Sequence, residues 1–471
     1  MHRIRWRQAV LIRCFVSPEQ GAVMKRYSLT ESPVTPTLVR FAVPLMLSAL
    51  LQSLYGATDL FVVGQYADAA AVSGVSIGTQ LMSTVTMLIY SVSMGGTVLL
   101  GNCIGEKNDA GAARAVGTMT VLFALITAVL TPLMLFGAKA GVALMQTPAE
   151  AVADTRSYVR ICSLGLPFII GYNAVSGVFR GLGDSKTPVY FVAMACGVNI
   201  AADFLLVGRF GMGASGAALA TVGAQGLSFL AALCYMIKSG FPFPFSAREH
   251  LRLHGPSLRR ILRVGGPLAL QNTTIHLSFL IITAIINTMG LVASAAVGVV
   301  EKILSFAFLP PDAFAGAVAA MTAQNMGANK PKRATDALWR GIAFSLAFGL
   351  LFFAYCNIAP RSLTGIFTRD RAVIEAAAGY LRTYSLDCAM VSFVFCFNSY
   401  FSGQGNAVIS MIHNMAATFL VRIPLTLLMS RLPNTTMVHM GLAAPAASLL
   451  SVFICAGYFL WLRRKREKTA G

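Results

Sequence analysis

The chain repeats its own pattern 222 positions further on, and that duplication restricts what it can fold into more than any single residue does. Tyr158, Arg160, Ser163, Leu164, Phe179, Gly181 and Gly183 recur as Tyr380, Arg382, Ser385, Leu386, Phe401, Gly403 and Gly405. The same offset takes Ala71 and Val75 to Ala293 and Val297, and Gly105, Ala112 and Ala115 to Gly327, Ala334 and Ala337. The repeated unit is almost wholly apolar. Hydrophobic residues make up 56% of the chain and charged residues only 12%, against about 25% charged in a soluble domain.

Twelve long apolar runs lie near 38–63, 71–99, 115–137, 157–179, 187–208, 213–238, 262–289, 293–323, 339–359, 378–401, 406–430 and 440–462. Each reaches the roughly 20 residues that carry a helix across about 30 Å of hydrocarbon. Barrel strands would instead alternate over about ten residues. The expected fold is an all-α polytopic membrane protein, with twelve transmembrane helices in two pseudo-symmetric six-helix lobes. The boundaries read as a basic cytoplasmic segment over 1–37, lobes over 38–238 and 262–462, a cytoplasmic linker over 239–261 and a basic tail over 463–471. Six crossings per half make the repeats parallel, related by an axis along the membrane normal. A duplicated helix bundle of this kind is the usual build of a secondary transporter.

The net charge of +19 raises the question of nucleic acid, but its distribution answers it. Counted from an inside N-terminus, 26 of the 37 Lys and Arg fall on the inner side and nine on the outer, with Lys302 and Arg422 in or near spans. This positive-inside bias predicts a multi-pass cell-membrane protein with both termini cytoplasmic, in contact with membrane lipids and not with nucleic acid. The cysteines are scattered, without CxxC or Cys/His spacing, and read as buried thiols. Arg3, Arg5, Arg7 and Arg13 interrupt any signal-peptide core. Residues 1–23 therefore read either as an upstream extension before a true start at Met24 or as an arginine-rich surface helix.

Proline stands inside several spans, at Pro44, Pro167, Pro267, Pro310, Pro311, Pro424 and Pro445. Most are tolerated packing. Pro44 and Pro267 occupy nearly matching places in the first helix of each half and are candidates for helix bending.

Carboxylates deep in the spans are few, namely Asp59, Asp203, Glu301, Asp312 and Asp387. A charge at membrane depth costs at least about 2.5–3.5 kcal/mol, so each is a functional candidate unless it sits at a helix end. Asn199 precedes Asp203 by four residues and shares its helix face. With Thr221 from the next span and Asn173 from the fourth, Asp59, Asn199 and Asp203 make an oxygen-rich set suited to a hard cation. Two carboxylates held close in low dielectric either share a proton or enclose a cation, and both outcomes give a coupling site for Na+ or H+. The competing reading is two unrelated aspartates, each hydrated at an interface. The second half does not repeat the set, because Asp203 maps to Leu425 and Asn199 to Val421. Asp387 and Glu301 are the weaker candidates, for substrate contact. His276 and His413 read as satisfied core histidines rather than proton relays.

Gly181-Leu182-Gly183-Asp184 spells the GxGD of intramembrane aspartyl proteases, but its repeat is Gly403-Gln404-Gly405-Asn406, so a duplicated turn explains it without catalysis. No Walker A or Ser/His/Asp arrangement is present, and an enzyme, a receptor and an ATP-driven pump are all disfavoured.

The stretches FAVPLMLSALLQSLYGATDLFVVGQYADAAAVSGVSIG, VFRGLGDSKTPVYF and VNIAADFLLVGRFGMGASGAALATVGAQ resemble the multidrug and toxic compound extrusion (MATE) family, bacterial type. AVGVVEKILSFAFLP, MTAQNMGANKPKRA and VRIPLTLLMSR match in kind in the second half. The resemblance implies two lobes forming a V, and efflux of organic, often cationic, drugs or metabolites in exchange for Na+ or H+, with no cofactor and with a monomer expected. One branch of the family holds its coupling site in the N-terminal lobe, where the matching residues are Asp59, Asn199, Asp203 and Thr221, with Asn173 adjacent. Another branch uses a Glu in the seventh helix with an Asp in the tenth. This chain has Asp387 in the tenth but Gln271 and His276 in the seventh, which leaves a second-half cation site in doubt. The alternative within the superfamily is a flippase for lipid-linked sugars. That reading expects a strongly cationic cavity, and the sequence supplies few basic residues for one.

Overall fold

A computed structural model describes residues 29–433 and 435–470. The alternatives for residues 1–23 and Met24 lie outside the described residues. The first lobe consists of α1 (Val34–Tyr66), α2 (Ala69–Gly105), α3 (Asp109–Leu144), α4 (Val152–Gly181), α5 (Lys186–Asp203) and α6 (Gly213–Ser239). The second begins with α7 (Gly255–Asn287), followed by α8 (Leu291–Ala307), α9 (Leu309–Gly327) and α10 (Pro331–Ile358). It continues with α11 (Arg371–Tyr384), α12 (Leu386–Gly403), α13 (Ala407–Ala416), α14 (Ile423–Ser430) and α15 (Ala443–Ala470).

Short polar side chains start these helices by taking up orphan backbone donors. Asp68 accepts from Ala71 N at 2.8 Å, Asn108 from Gly111 N at 2.8 Å and Asp370 from Ala372 N at 2.8 Å. Among the described residues, ten helices are long and apolar enough to cross a membrane, and the bent pair α8–α9 raises that to eleven. The pair α11–α12 is the repeat of α4 under the 222 offset and completes the twelve crossings.

Four crossings read as continuous in the sequence are interrupted in the structure. The eighth bends by 41° between α8 and α9. Pro310 and Pro311 lack the N–H needed to continue α8 but suit the first turn of a new helix, which is where they stand. The tenth breaks at Ser385. The fifth passes into a π-helical stretch, Phe204–Arg209, and the eleventh holds another, Ala417–Arg422, between α13 and α14. Each π turn carries wider i→i+5 bonding.

The lobes meet at the end that bears the linker and the described termini. A Cβ on Gly105 would stand 2.0 Å from Gln324 O, and one on Gly327 would stand 2.1 Å from Asn102 O. Gly95 likewise packs on the α7 backbone, 2.3 Å from its ideal Cβ position to Ile261 O. Gln324 Nε2 donates to Gly181 O at 3.0 Å, and Asn325 Nδ2 to Leu29 O at 3.0 Å. Arg333 Nη2 donates to Ser32 O at 2.6 Å, fastening the lead into α1 onto the second lobe. Towards the middle, Asn272 Nδ2 donates to Ser91 Oγ at 2.9 Å and His276 Nε2 meets Met87 Sδ at 2.8 Å. Among the described residues no hydrogen bond joins the lobes beyond that level, so the V is shut at the terminus-bearing end and parts towards the other.

Gly105→Ala and Gly327→Ala are expected to force the seam apart at a cost of about 1–3 kcal/mol. In a background whose one cysteine is the buried Cys103, each should speed its labelling by a maleimide, whereas Gly223→Ala, with open space at its Cβ, should not. Equal labelling rates in all three would contradict this account of the seam.

Candidate cation site in the first lobe

Three helices bring the first-lobe candidates to one depth. Asp59 lies seven residues before the end of α1, Asp203 six before the end of the π stretch and Thr221 eight after the start of α6. At 1.5 Å per residue these are all about 9–12 Å inside the open end of the V. Asn199 and Asp203 stand one turn apart on α5 and share the face that turns inward. Exposure is 4% for Asp59, 1% for Asn199 and 0% for Asp203.

Thr221 Oγ1 donates to Asp59 Oδ2 at 3.1 Å. The carboxyl groups of Asp59 and Asp203 interact directly, and Asn199 also reaches Asp59. Even so, Asp59 Oδ1, both carboxyl oxygens of Asp203 and both side-chain polar atoms of Asn199 are buried without a well-formed hydrogen bond. Buried polar groups are normally paired. An unpaired cluster of oxygens around two facing acids is complete only with a proton between the acids or a cation among them. The donor set of carboxylate, amide and hydroxyl oxygens fits a hard monovalent cation. Among the described residues no group of three or more His, Cys, Asp or Glu gathers as for a transition metal. The π turn begins immediately after Asp203, a feature frequent where a helix is shaped for function.

Asn173 makes no hydrogen bond to this group among the described residues. Its Nδ2 donates to Ile169 O of its own helix at 2.9 Å, and its backbone carbonyl accepts from Ser93 Oγ at 2.8 Å. A surrounding shell went unread in the sequence. Gln225 Nε2 donates to Tyr55 OH at 3.3 Å, Thr79 Oγ1 to Tyr158 OH at 3.0 Å, and Cys162 and Cys196 lie within the field of Asp59. The signal was available, since Tyr55 precedes Asp59 by four residues and Gln225 follows Thr221 by four, one helical turn each.

The second lobe holds a different cluster at the corresponding place. Arg422 donates to Tyr384 OH at 2.9 Å and lies 4.4 Å above the Phe279 ring. Asp387, which also reaches Ser448, and Glu301 both sit in the field of Arg422. The two acids considered for substrate contact thus share the field of one guanidinium, without an ion pair to it among the described residues. Gln271 is buried with Oε1 unpaired. His413 is fully buried, with Nε2 2.6 Å from Asn398 Oδ1. Between the lobes, Asp312 at the start of α9 faces the charge of Arg180, whose guanidinium bonds Ser176 Oγ at 3.0 Å and lies 5.1 Å over the Tyr90 ring. Arg180 was counted outside the spans. It lies in the last turn of α4, and its side chain turns back to Tyr90.

The GxGD turn is a helix start. Asp184 Oδ1 accepts from Lys186 N at 2.9 Å and Thr187 N at 3.0 Å, while Gly183 and its repeat Gly405 take φ of 87° and 83°.

The family profile MatE matches the chain twice, over residues 44–205 and 267–428. The chain belongs to the MATE family. Its two matched segments are the two lobes' helical cores. This MATE chain is 26% identical over 454 residues to "Probable multidrug resistance protein YoeA" of Bacillus subtilis (strain 168), covering 94% of this chain and 97% of that one. It is 22% identical to "Multidrug export protein MepA" of Staphylococcus aureus (strain N315), covering 82% and 85%. Among solved structures it superposes with a TM-score of 0.87 on an outward-facing multidrug resistance MATE family transporter of the MOP superfamily, at 20% identity and covering 94% and 98%. It superposes with a TM-score of 0.85, at 20% identity and the same coverage, on a MOP superfamily transporter from Pyrococcus furiosus whose binding pocket is described as reversed in polarity.

Thr221→Val keeps the shape of the side chain and removes the donor to Asp59. It is expected to lower stability by about 1–2 kcal/mol, read as a fall in the melting temperature of the purified protein, whereas Thr221→Ser should restore it. A valine variant as stable as the parent would remove Thr221 from the site.

Proposed function

We propose that this chain is a secondary active multidrug efflux antiporter. It exports organic, often cationic, compounds in exchange for Na+ or H+ by alternating access between lobes over 38–238 and 262–462. The observation that carries the reading is the convergence of Asp59 and Asp203, with Asn199 and Thr221, on buried oxygens that lack partners. A gradient-driven ion entering from the open end of the V completes that set and biases the state from which substrate leaves. The inner-side excess of Lys and Arg supports cytoplasmic termini in a cell membrane, so the shut end faces the cytoplasm and the V opens outward. In that orientation, Tyr90, Asp312, Arg180 and His276 line the space between the lobes with aromatic surface and mixed charge, and an organic cation would compete with Arg180 for the Tyr90 face. The names of the relatives, multidrug resistance and export proteins, support the substrate class. The chain acts as a monomer in lipid.

Asp59→Asn and Asp203→Asn are each expected to abolish gradient-driven dye efflux while folded protein stays in the membrane. In proteoliposomes with Na+ and pH gradients imposed separately, one gradient should drive transport by the parent and neither by the variants. Efflux retained by Asp59→Asn would overturn the coupling role, and transport by the parent in the absence of both gradients would overturn antiport.

A further inference from the structure

At the shut seam a cavity of about 170 Å³ lies between α2 of the first lobe and α7 with the Gln404–Asn406 turn of the second. Its polar lining consists of Asn102, Arg260, Arg263, Gln404 and Asn406. The two arginines form no ion pair among the described residues. Gln404 Oε1 is taken by Arg466 Nη2, which leaves Gln404 Nε2 as the free end, buried and without a partner. The helix α13 starts directly after Asn406, a lining residue whose side chain makes no capping bond, so the first-turn N–H groups beside the cavity have no side-chain acceptor. Glu106 at the end of α2 is the carboxylate nearby, sharing with Arg260 the surroundings of Cys103.

The internal repeat supplies a control. Shifted by 222, the lining of this cavity becomes Leu38, Phe41, Leu182 and Asp184 in the first lobe, facing Gln324 in place of Asn102. At that related seam the space is filled. Leu38, Phe41 and Leu182 are buried, and Leu29 packs in against Gly183 and Gln324 at 2% exposure. Asp184 places its carboxylate on the start of α5. At the arginine-lined seam Leu251, the counterpart of Leu29, is 42% exposed. Asn406 stands where Asp184 stood and brings no negative charge to the helix start. One seam therefore has its hydrocarbon plug and its carboxylate. The other has two solvent-exposed guanidinium groups, an unpaired amide donor and a helix start without a side-chain cap, a set of donors suited to negative charge.

We infer that this pocket binds a phosphate-class oxyanion that bridges the two lobes at the shut seam. The ligand takes the place that the Asp184 carboxylate fills in the first lobe, and the arginines hold it from the second. Because the lining comes from both lobes, the bound anion favours the arrangement in which this end is shut. Two sources carry the same chemistry, free inorganic phosphate and the phosphodiester headgroup of an anionic lipid.

The test uses the full chain. In one arm the purified protein in neutral detergent is melted against increasing inorganic phosphate, with chloride at matched ionic strength as control. In the other it is melted in phosphate-free nanodiscs of phosphatidylcholine with and without phosphatidylglycerol. A saturable rise in melting temperature is expected in at least one arm; phosphate alone assigns the free ion, and phosphatidylglycerol alone the headgroup. Arg263→Gln should raise the midpoint by about tenfold or more. The double variant Arg260→Leu/Arg263→Phe, which copies the side chains of the plugged seam, should abolish the response. Should that variant fail to fold, Arg260→Gln/Arg263→Gln should show the same loss. No response in either arm, or a response of undiminished size in the folded double variant, overturns the proposal.

Discussion

A polar group left unpaired inside hydrocarbon costs several kcal/mol, and that constraint organises this molecule. The backbone meets it by being helical nearly throughout the described spans. Serine and threonine side chains meet it locally. Ser91 Oγ donates to Met87 O at 2.8 Å, Thr86 Oγ1 to Met82 O at 2.9 Å and Ser163 Oγ to Val159 O at 2.6 Å, each one turn back. Where the constraint is not met, the densest group of exceptions lies in the first lobe. Asp59, Asn199 and Asp203 together leave five buried atoms without a well-formed hydrogen bond. The proposed function assigns that unsatisfied site to something small and positive.

Duplication preserved the architecture and released the chemistry. Gly105 and Gly327 are related by the repeat, and each lies against the other lobe's backbone at the same seam. Gly183 and Gly405 keep one left-handed turn. Tyr158 and Tyr380 are both buried beside their lobe's polar cluster. The clusters themselves differ in sign. The first lobe has two acids without a basic partner. The second has Asp387 and Glu301 within the field of Arg422, so a basic side chain of the same lobe offsets part of their charge.

Much of this was legible in the sequence, and the limits have physical causes. The repeat, the length of the apolar runs and the scarcity of carboxylates gave the architecture and pointed to Asp59, Asn199, Asp203 and Thr221, because helix periodicity fixes which residues share a face. Periodicity says nothing about rotation of one helix against another. Arg180 therefore read as a surface charge although its long side chain turns back to the Tyr90 ring. The breaks at Phe308 and Ser385 and the two π stretches also escaped notice. Hydropathy is blind to a one-residue change in hydrogen-bond register, and only the Pro310–Pro311 pair carried a local signal. The polar shell of Tyr55 and Gln225 was readable one turn from Asp59 and Thr221, but neither residue bears a charge that would draw attention at membrane depth.

The placement of Asp59 on α1 links the cation site to the seam. The lead into α1 is bonded to the second lobe through Asn325 and Arg333, and Leu38 and Phe41 of α1 are buried in a core shared with that lobe. The same helix then runs to Asp59, whose partners Asn199, Asp203 and Thr221 all belong to the first lobe. α1 is therefore anchored to one lobe at its start and to the other at its acid. Pro44 lies between these two anchors and denies the carbonyl of Arg40 its helical donor, so the helix has a point of reduced stiffness where the two demands meet. An ion that draws Asp59 towards Asp203 acts on α1 beyond that point, while the strap holds it before. Coupling between ion and lobe arrangement requires only that these two pulls differ between the states, and α1 is the element on which both act.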